Sequence, residues 1–201
     1  MNYLGIRLDP RLTFWVQIQH AAGKAAKITS QLSRLMANIG GPSQEKRKLL
    51  MSTTISVLLY GAEIWADVLK KENRRKVLAR VYRTAALRVA SAYRTVSGDA
   101  ILVISGNAPI DLLAYERKKL WELKKMSEYN KSAFDQIKKD TISAWQRRWE
   151  NERVEDLVGP ISANNLISVM MESEANWSII QKFAETLLRS KKRDLDAGKD
   201  M

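Results

Sequence analysis

The chain has 201 residues, which is enough for one domain or two small ones, and its apolar content of 45% is ordinary for a folded protein. Its formal net charge is +12. It contains no cysteine, which excludes disulfides, zinc–thiolate sites and a cysteine nucleophile. The single histidine, His20, has no nucleophile motif nearby and is interpreted as a surface or boundary residue. The positive charge predicts a polyanionic partner, either nucleic acid or an anionic membrane surface; the alternative is a basic solvated surface.

A short β segment is predicted at the N-terminus. Residues 3–8 (YLGIRL) alternate in character and are typical of a strand or one arm of a hairpin, which Asp9 and Pro10 end. Because a single strand leaves its backbone groups unpaired, this segment suggests that the chain begins in the middle of a larger domain.

The first helix is predicted from Thr13, as its N-cap, to about Asn38. Gly40 and Gly41 are expected to end it in a left-handed C-cap. One broad face of this helix is apolar, as expected for packing against a core.

The most apolar stretch, residues 43–69, predicts a continuous central helix that is buried on most sides. Ser43 suits its N-cap. Gly61 lies inside the pattern, where glycine is unfavourable, so a close helix crossing is predicted there. The apolar positions recur at three- and four-residue steps: Leu49, Met51, Ile55, Leu58, Leu59, Ala62, Trp65, Ala66 and Leu69.

Residues 70–94 are strongly basic. Nine lysines and arginines face one acid, Glu72, so this segment holds +8 of the net charge of +12. An apolar face persists, which predicts an amphipathic helix with one basic side. Tyr82 is interpreted as a core residue, whereas Tyr93 could stack on bases or ribose.

Further helices are predicted at 100–104, 109–129, 133–152, 166–171 and 174–193. The expected fold is therefore all-α, a multi-helix bundle preceded by one short β segment. The N-terminus has no apolar signal region and no stretch is long enough to cross a membrane, so an intracellular protein, nuclear or cytoplasmic, is expected.

No catalytic chemistry is apparent. The sequence lacks Gly-rich phosphate loops, H-E-x-x-H and any adjacent pair of aspartates. No catalytic residue, metal site, cofactor or small-molecule substrate is therefore predicted.

Several segments nevertheless resemble one family, the reverse transcriptases of arthropod non-LTR (LINE-type) retrotransposons. YLGIRLD (3–9) resembles the segment that closes the palm, and LLYGAEIWADVL (58–69) resembles the thumb signature. Residues 82–117 look like the stretch that follows, and residues 161–195 resemble the tail of the clade that inserts into ribosomal RNA genes. The order and spacing of these segments carry the resemblance.

The resemblance implies four regions: a palm remnant (1–12), a thumb-like bundle (13–95), a helical connection (96–152) and a helical tail (153–201). It implies that Tyr3, Leu4 and Gly5 are primer-grip-like. It also implies that a thumb-like helix grips the backbone of RNA or an RNA–DNA hybrid through Arg74, Arg75, Lys76, Arg80, Arg83, Arg88 and Arg94.

Polymerase activity is not carried over to this chain. The catalytic box of the family contains two adjacent aspartates, and this sequence has no such pair. The expectation is a truncated fragment, inactive alone, that binds nucleic acid without sequence preference. The alternatives are a helical module that self-associates or binds a partner protein through exposed apolar faces, a relic without function, and, at lower weight, an independent enzyme.

Overall fold

The computed structural model describes residues 1–37, 41–126 and 130–151, apart from the side chains of residues 150 and 151. Within these residues a two-stranded hairpin precedes seven α-helices, which confirms the predicted all-α class with a β segment at the N-terminus. The predicted tail at 153–201 lies outside the described residues. The strands are β1 Asn2–Tyr3 and β2 Ile6–Arg7, and the helices are α1 Trp15–Ser33, α2 Gln44–Leu58, α3 Ala62–Trp65, α4 Glu72–Val89, α5 Gly98–Ser105, α6 Ile110–Lys125 and α7 Lys131–Asn151, with a 3₁₀ helix, Ala66–Lys70, between α3 and α4.

The chain divides into two compact units, Met1–Thr141 and Ile142–Met201. The described part of the second unit is the remainder of α7. The features that follow all belong to the first unit.

The N-terminal β segment pairs with itself. β1 and β2 run antiparallel, with Tyr3 opposite Ile6. Leu4 and Gly5 form the turn with φ of 47° and 81°, the left-handed conformations that a two-residue hairpin turn requires. The predicted strand therefore has a partner within the hairpin itself. Gln17 of α1 accepts a 2.9 Å hydrogen bond from the backbone N–H of Arg7 and so joins the hairpin to the helix.

α1 is shorter than predicted, and Phe14 rather than the predicted Thr13 stands at its N-cap position, without a capping side-chain hydrogen bond. Phe14, at φ 53°, precedes the helix, and the Asp9 carboxylate accepts hydrogen bonds from the N–H groups of Thr13 (2.9 Å) and Phe14 (2.7 Å). These bonds, that from Thr13 first, lower the pKa of Asp9. The helix ends at Ser33, well before Gly41, so the predicted glycine C-cap is wrong.

The central segment is buried, as predicted, but it is not one helix. α2 ends at Leu58, the chain turns through Gly61 at φ 69°, and the following helical stretch, 62–70, is bent by 53° from α2. The predicted capping by Ser43 is also not observed, since its side chain makes no capping hydrogen bond although it stands at the N-cap position. Of the nine apolar positions predicted to be central, Leu49 is 71% exposed and Ile55 is half-buried, so the prediction is wrong at the start of α2. The other seven are at most 2% exposed: Met51, Leu58, Leu59, Ala62, Trp65, Ala66 and Leu69.

Gly61 is required for a reason other than the predicted helix crossing. A Cβ at Gly61 would lie 2.5 Å from Cδ1 of Ile6, which belongs to the N-terminal hairpin. The positive φ independently favours glycine. The break in the central segment is therefore the place where the hairpin packs on the helices.

Three helices, α1, α2 and α4, pack against one another to form the core, with α5 on α4 and α6 on α3. Tyr82 of α4 is 1% exposed and donates a 3.0 Å hydrogen bond to the carbonyl of Ala108, which confirms the core interpretation of this tyrosine. Burial raises the pKa of its phenol.

In the part of the chain that the structure describes, no single helix combines the length and apolarity needed to cross a membrane. The bent pair formed by α2 and residues 62–70 meets that criterion only when its two parts are taken together.

Candidate nucleic-acid interface

The basic segment forms an amphipathic helix, as predicted, but the helix ends at Val89. Leu78, Tyr82, Ala85 and Val89 repeat at three- and four-residue steps and are buried against the core. Arg94 lies beyond the helix, in the chain that leads to α5.

A groove of about 540 Å³ lies between α1 and α4. Four of its lining residues are arginines: Arg34, Arg80, Arg88 and Arg94. Four others carry hydroxyl groups: Thr29, Ser30, Ser33 and Thr84. Ala26 and Val81 complete the lining, and none of the described residues that line the groove is acidic.

The arginines reach the groove from three parts of the chain. Arg34 directly follows the last turn of α1, and Arg94 comes from the chain after α4. Arg80, Thr84 and Arg88 are spaced four residues apart on α4 and therefore share one face of it. Arg34, Arg80 and Arg94 are exposed, and Arg88 is half-buried.

The electrostatics of the groove favour an anion. Four guanidinium groups bring positive charge to the groove, and the groove contributes no carboxylate among its described residues. Their mutual repulsion falls when an anion binds between them, and guanidinium forks match the oxygen atoms of phosphate. The hydroxyl group of Ser30 is also of a kind that commonly donates to phosphate, whereas those of Thr29, Ser33 and Thr84 donate to backbone carbonyls of their own helices.

Only some of the seven predicted nucleic-acid-binding residues line this groove, and their role stays a prediction. Three of them, Arg80, Arg88 and Arg94, line the groove. The other four, Arg74, Arg75, Lys76 and Arg83, are not among its lining residues.

Two of those four have partners within the protein. Lys76 lies 2.7 Å from the Glu72 carboxylate, an exposed ion pair one helical turn apart. Arg83 donates hydrogen bonds to the carbonyl groups of Arg94, at 2.7 Å, and Val96. Arg83 thus holds the chain after α4 against the helix and places Arg94 beside the groove.

Arg47 is an arginine whose role was not predicted. It is 4% exposed, and its guanidinium donates to the carbonyl groups of Pro42 (2.9 Å) and Arg88 (3.0 Å), and also to those of Met36 and Ala37. These carbonyls lie after α1, before α2 and in the last turn of α4. Arg47 therefore fixes the ends of the two helices that form the groove.

Arg34 is the groove residue that sequence reasoning missed. It lies 36 residues before the basic segment begins at Lys70 and has no charged cluster around it. The only signal was its place at the C-terminal end of α1, where cations favour the helix dipole. Its position beside Arg80 follows from the packing of α1 on α4.

Of the three residues predicted to be primer-grip-like, Tyr3 ends β1, and Leu4 and Gly5 form the hairpin turn. Tyr3 and Leu4 are exposed. The hydroxyl of Tyr60 donates to the carbonyl of Leu4 at 2.8 Å, and its ring lies against Gly5, where a Cβ would be 3.3 Å from Cε1. The turn is thus attached to the break of the central segment. The primer-grip role stays a prediction.

Other candidate chemistry is sparse in the described residues. His20 lies at the boundary between core and surface, as predicted, and its pKa is lowered by burial and by the charges of Arg7 and Lys24. The described residues bring together no group of three or more His, Asp or Glu side chains that could hold a metal ion.

Comparisons with known proteins find that the chain is similar to proteins of insect retrotransposons. No protein-family profile and no solved structure matches it. It is 25% identical over 166 residues, 74% of its length, to the "Retrovirus-related Pol polyprotein from type-1 retrotransposable element R1 2" of Nasonia vitripennis. It is 25% identical over 170 residues, 75% of its length, to the "Putative 115 kDa protein in type-1 retrotransposable element R1DM" of Drosophila melanogaster. A second Pol polyprotein of Nasonia vitripennis, from element R1, is 24% identical over 193 residues, 88% of this chain.

The chain corresponds to only part of each relative. The matched regions span 40%, 16% and 55% of those three proteins, respectively. The predicted resemblance is confirmed: the chain is similar to a fragment of the proteins that R1-type non-LTR retrotransposons of insects encode.

Proposed function

We propose that this chain is a retrotransposon-derived fragment that binds the backbone of RNA or of an RNA–DNA hybrid without sequence preference and without polymerase activity of its own. The single observation that carries the proposal is the groove between α1 and α4, with four arginines and no described acidic residue in its lining. An intracellular location, nuclear or cytoplasmic, belongs to the same proposal, since the binding partner is found there.

The physical basis is release of counterions. Each phosphate that an arginine neutralises frees condensed cations, so affinity comes from charge and falls steeply with salt. Contacts of this kind position a protein on a strand but read no bases. Three or four such contacts support weak binding at physiological salt.

The test is a salt titration of binding by fluorescence anisotropy, with a labelled oligoribonucleotide of mixed sequence. With three or four phosphate contacts, affinity is expected to fall about 20- to 50-fold between 50 and 200 mM salt. Arg80→Glu should weaken binding, whereas Lys24→Glu, which changes an exposed cation on α1 outside the groove lining, should not. An affinity that is indifferent to salt, or equal for the two variants, contradicts the proposal.

The absence of paired aspartates from the sequence supports the lack of polymerase activity. Two-metal nucleotidyl transfer needs acidic side chains presented together, and the sequence contains no adjacent aspartates. A primer-extension assay with the purified chain, a primed RNA template and Mg²⁺ is expected to yield no extended product. Extension that a chelator abolishes would overturn this part.

A second candidate function is self-association. Ile64 on α3 and Trp121 on α6 are 57% and 47% exposed, and the two helices pack against each other. Two large apolar side chains exposed on adjacent helices are a feature of protein-binding surfaces. Sedimentation at increasing concentration, with and without RNA, separates the candidates: association that RNA does not alter and that Ile64→Asp abolishes favours the interaction module.

A further inference from the structure

We infer that the groove between α1 and α4 takes one single strand of nucleic acid by its phosphodiester backbone, rather than a duplex. This inference rests on the proposed function and narrows its substrate class. It follows from the width of the groove, from the positions of its arginines on both helices and from the other residues that line it.

The width follows from helix packing. α1 and α4 are in direct contact in the core, and the axes of packed helices are about 8–10 Å apart. A duplex, whose major groove alone is about 12 Å wide, cannot enter a furrow between two such helices. A single backbone can, because only its phosphates and sugars need to fit between the walls.

The cations lie on both walls. Arg34 is contributed by the end of α1, whereas Arg80 and Arg88 are contributed by α4. The last two are eight residues apart, which is about 12 Å along a helix axis. That distance exceeds the rise of about 3.4 Å between successive phosphates of one strand in a duplex. The groove therefore has room to contact more than one phosphate of the same strand.

The lining of the groove favours contact with the sugar–phosphate backbone over contact with bases. The described lining residues include hydroxyl groups and small side chains, such as Ser30, Thr84 and Ala26, but no aromatic ring. Stacking platforms for bases need aromatic rings. The bases of a bound strand would thus point out of the groove, and binding would depend on length and charge but not on sequence.

Arg34 distinguishes the two modes of binding. A duplex that docks on the basic face of α4 from outside has no need for a cation at the end of α1. A strand that lies in the groove is bounded by Arg34 on one side and by Arg80 on the other. Charge reversal at Arg34 should therefore weaken binding of a single strand and leave binding of a duplex nearly unchanged.

The experiment uses the full chain and fluorescence anisotropy at low salt. The probes are a labelled oligouridylate of about 12 nucleotides, within the site sizes of small single-strand-binding domains, and an RNA–DNA hybrid of the same length. The unmodified chain is compared with Arg34→Glu, with Arg80→Glu and with the matched control Lys24→Glu, which alters another exposed cation of α1 away from the groove. Arg34→Gln removes the charge without reversing it.

We expect the unmodified chain to bind the single strand more tightly than the hybrid. Arg34→Glu should weaken single-strand binding about 5- to 10-fold and make the slope of log affinity against log salt about 0.7 less steep, the share of one phosphate on a single strand. Arg34→Gln should show a smaller loss of the same kind, and Lys24→Glu should stay within about twofold of the unmodified chain.

Other outcomes overturn the inference. If Arg34→Glu and Lys24→Glu bind the single strand equally well while Arg80→Glu weakens it, the groove assignment is wrong and the proposed function stands. If the hybrid binds more tightly than the single strand, the duplex mode is correct and the inference fails. If the unmodified chain binds neither probe at low salt, the proposed function and this inference both fail.

Discussion

Arg47 and Arg80 carry the same charge on neighbouring helices of one core, yet they belong to opposite kinds of environment. The guanidinium of Arg47 is buried and donates to four backbone carbonyls, whereas Arg80 is exposed in a groove with three other arginines. In the first region the positive charge is compensated by carbonyl dipoles at helix ends. In the second it is compensated by solvent ions, which a phosphate can replace. The same residue type therefore stabilises the fold in one region and offers a binding surface in the other.

The largest effect is expected at Arg47, whose guanidinium is buried among backbone carbonyls. Arg47→Met should lower the free energy of unfolding by about 3 kcal/mol, because several buried carbonyl groups lose their donor. Urea denaturation followed by circular dichroism measures this change. Arg80→Met is the matched control from the groove and should stay within about 0.5 kcal/mol of the unmodified chain. If the two variants were equally stable, the contrast between the two arginines would be wrong.

A second test compares a glycine in a tightly packed position, Gly61, with one that has open space around it, Gly23. Gly61→Ala should destabilise the chain by about 2 kcal/mol, since the residue has a positive φ and its Cβ would meet Ile6 at 2.5 Å. Gly23→Ala, in α1, meets no atom within 4 Å and should stabilise the chain by about 0.5–1 kcal/mol. Urea unfolding of both variants checks the opposite signs, and equal signs would contradict this account of the break at Gly61.

Arg83 is a third test, because it combines features of Arg47 and Arg80. It was predicted to contact phosphate, but in the structure its guanidinium donates to backbone carbonyls. Arg83→Ala should cost about 1–2 kcal/mol of unfolding free energy through the loss of its hydrogen bonds to Arg94 and Val96. Nucleic-acid binding should weaken as well, because Arg94 is no longer held beside the groove. Arg94→Ala serves as the comparison: it should weaken binding and leave stability within about 0.5 kcal/mol. A variant Arg83→Ala of unchanged stability would restore the simple phosphate role.

The smallest effect is at the Asp9 carboxylate, which holds the chain that leads into α1. The pKa of Asp9 is lowered in the folded state by hydrogen bonds from the backbone, that from Thr13 being the largest cause. A depressed folded pKa stabilises the fold above the unfolded value of about 3.9, and this contribution is lost as pH falls below it. The melting temperature of the unmodified chain should therefore exceed that of Asp9→Ala at pH 6, and the difference should shrink below pH 4. If the difference in melting temperature did not change with pH, the stabilising role of the Asp9 carboxylate would be wrong.

Local features of the sequence predicted much of the fold. The buried positions of residues 58–69 and the amphipathic character of α4 were recognisable because they depend on spacing along one chain segment. The break at Gly61 was not recognised, since the pattern of apolar residues continues through it unchanged. Its cause, the side chain of Ile6, comes from a hairpin that is 55 residues away in the chain.

The candidate site was recognised in part, for the same reason. Arg80 and Arg88 were named because they lie in a conspicuous basic segment, but Arg83 and Lys76 were named beside them without a means to see their partners. Arg34 was left out because only its proximity to α4 gives it a role. Counting charges along a chain finds a basic segment; it does not tell which charges are already compensated.

The amino-acid sequence by itself determined the helical class, the buried central segment, the excess of positive charge after it and the resemblance to insect non-LTR retrotransposons. These properties depend on composition, on periodicity within one segment and on the order of short motifs. Only the tertiary structure decided which arginines face a common groove, which one is buried among carbonyls and where the central helix breaks. Those outcomes depend on contacts between residues far apart in the chain, and the packing of α1 on α4 and of the hairpin on Gly61 creates them.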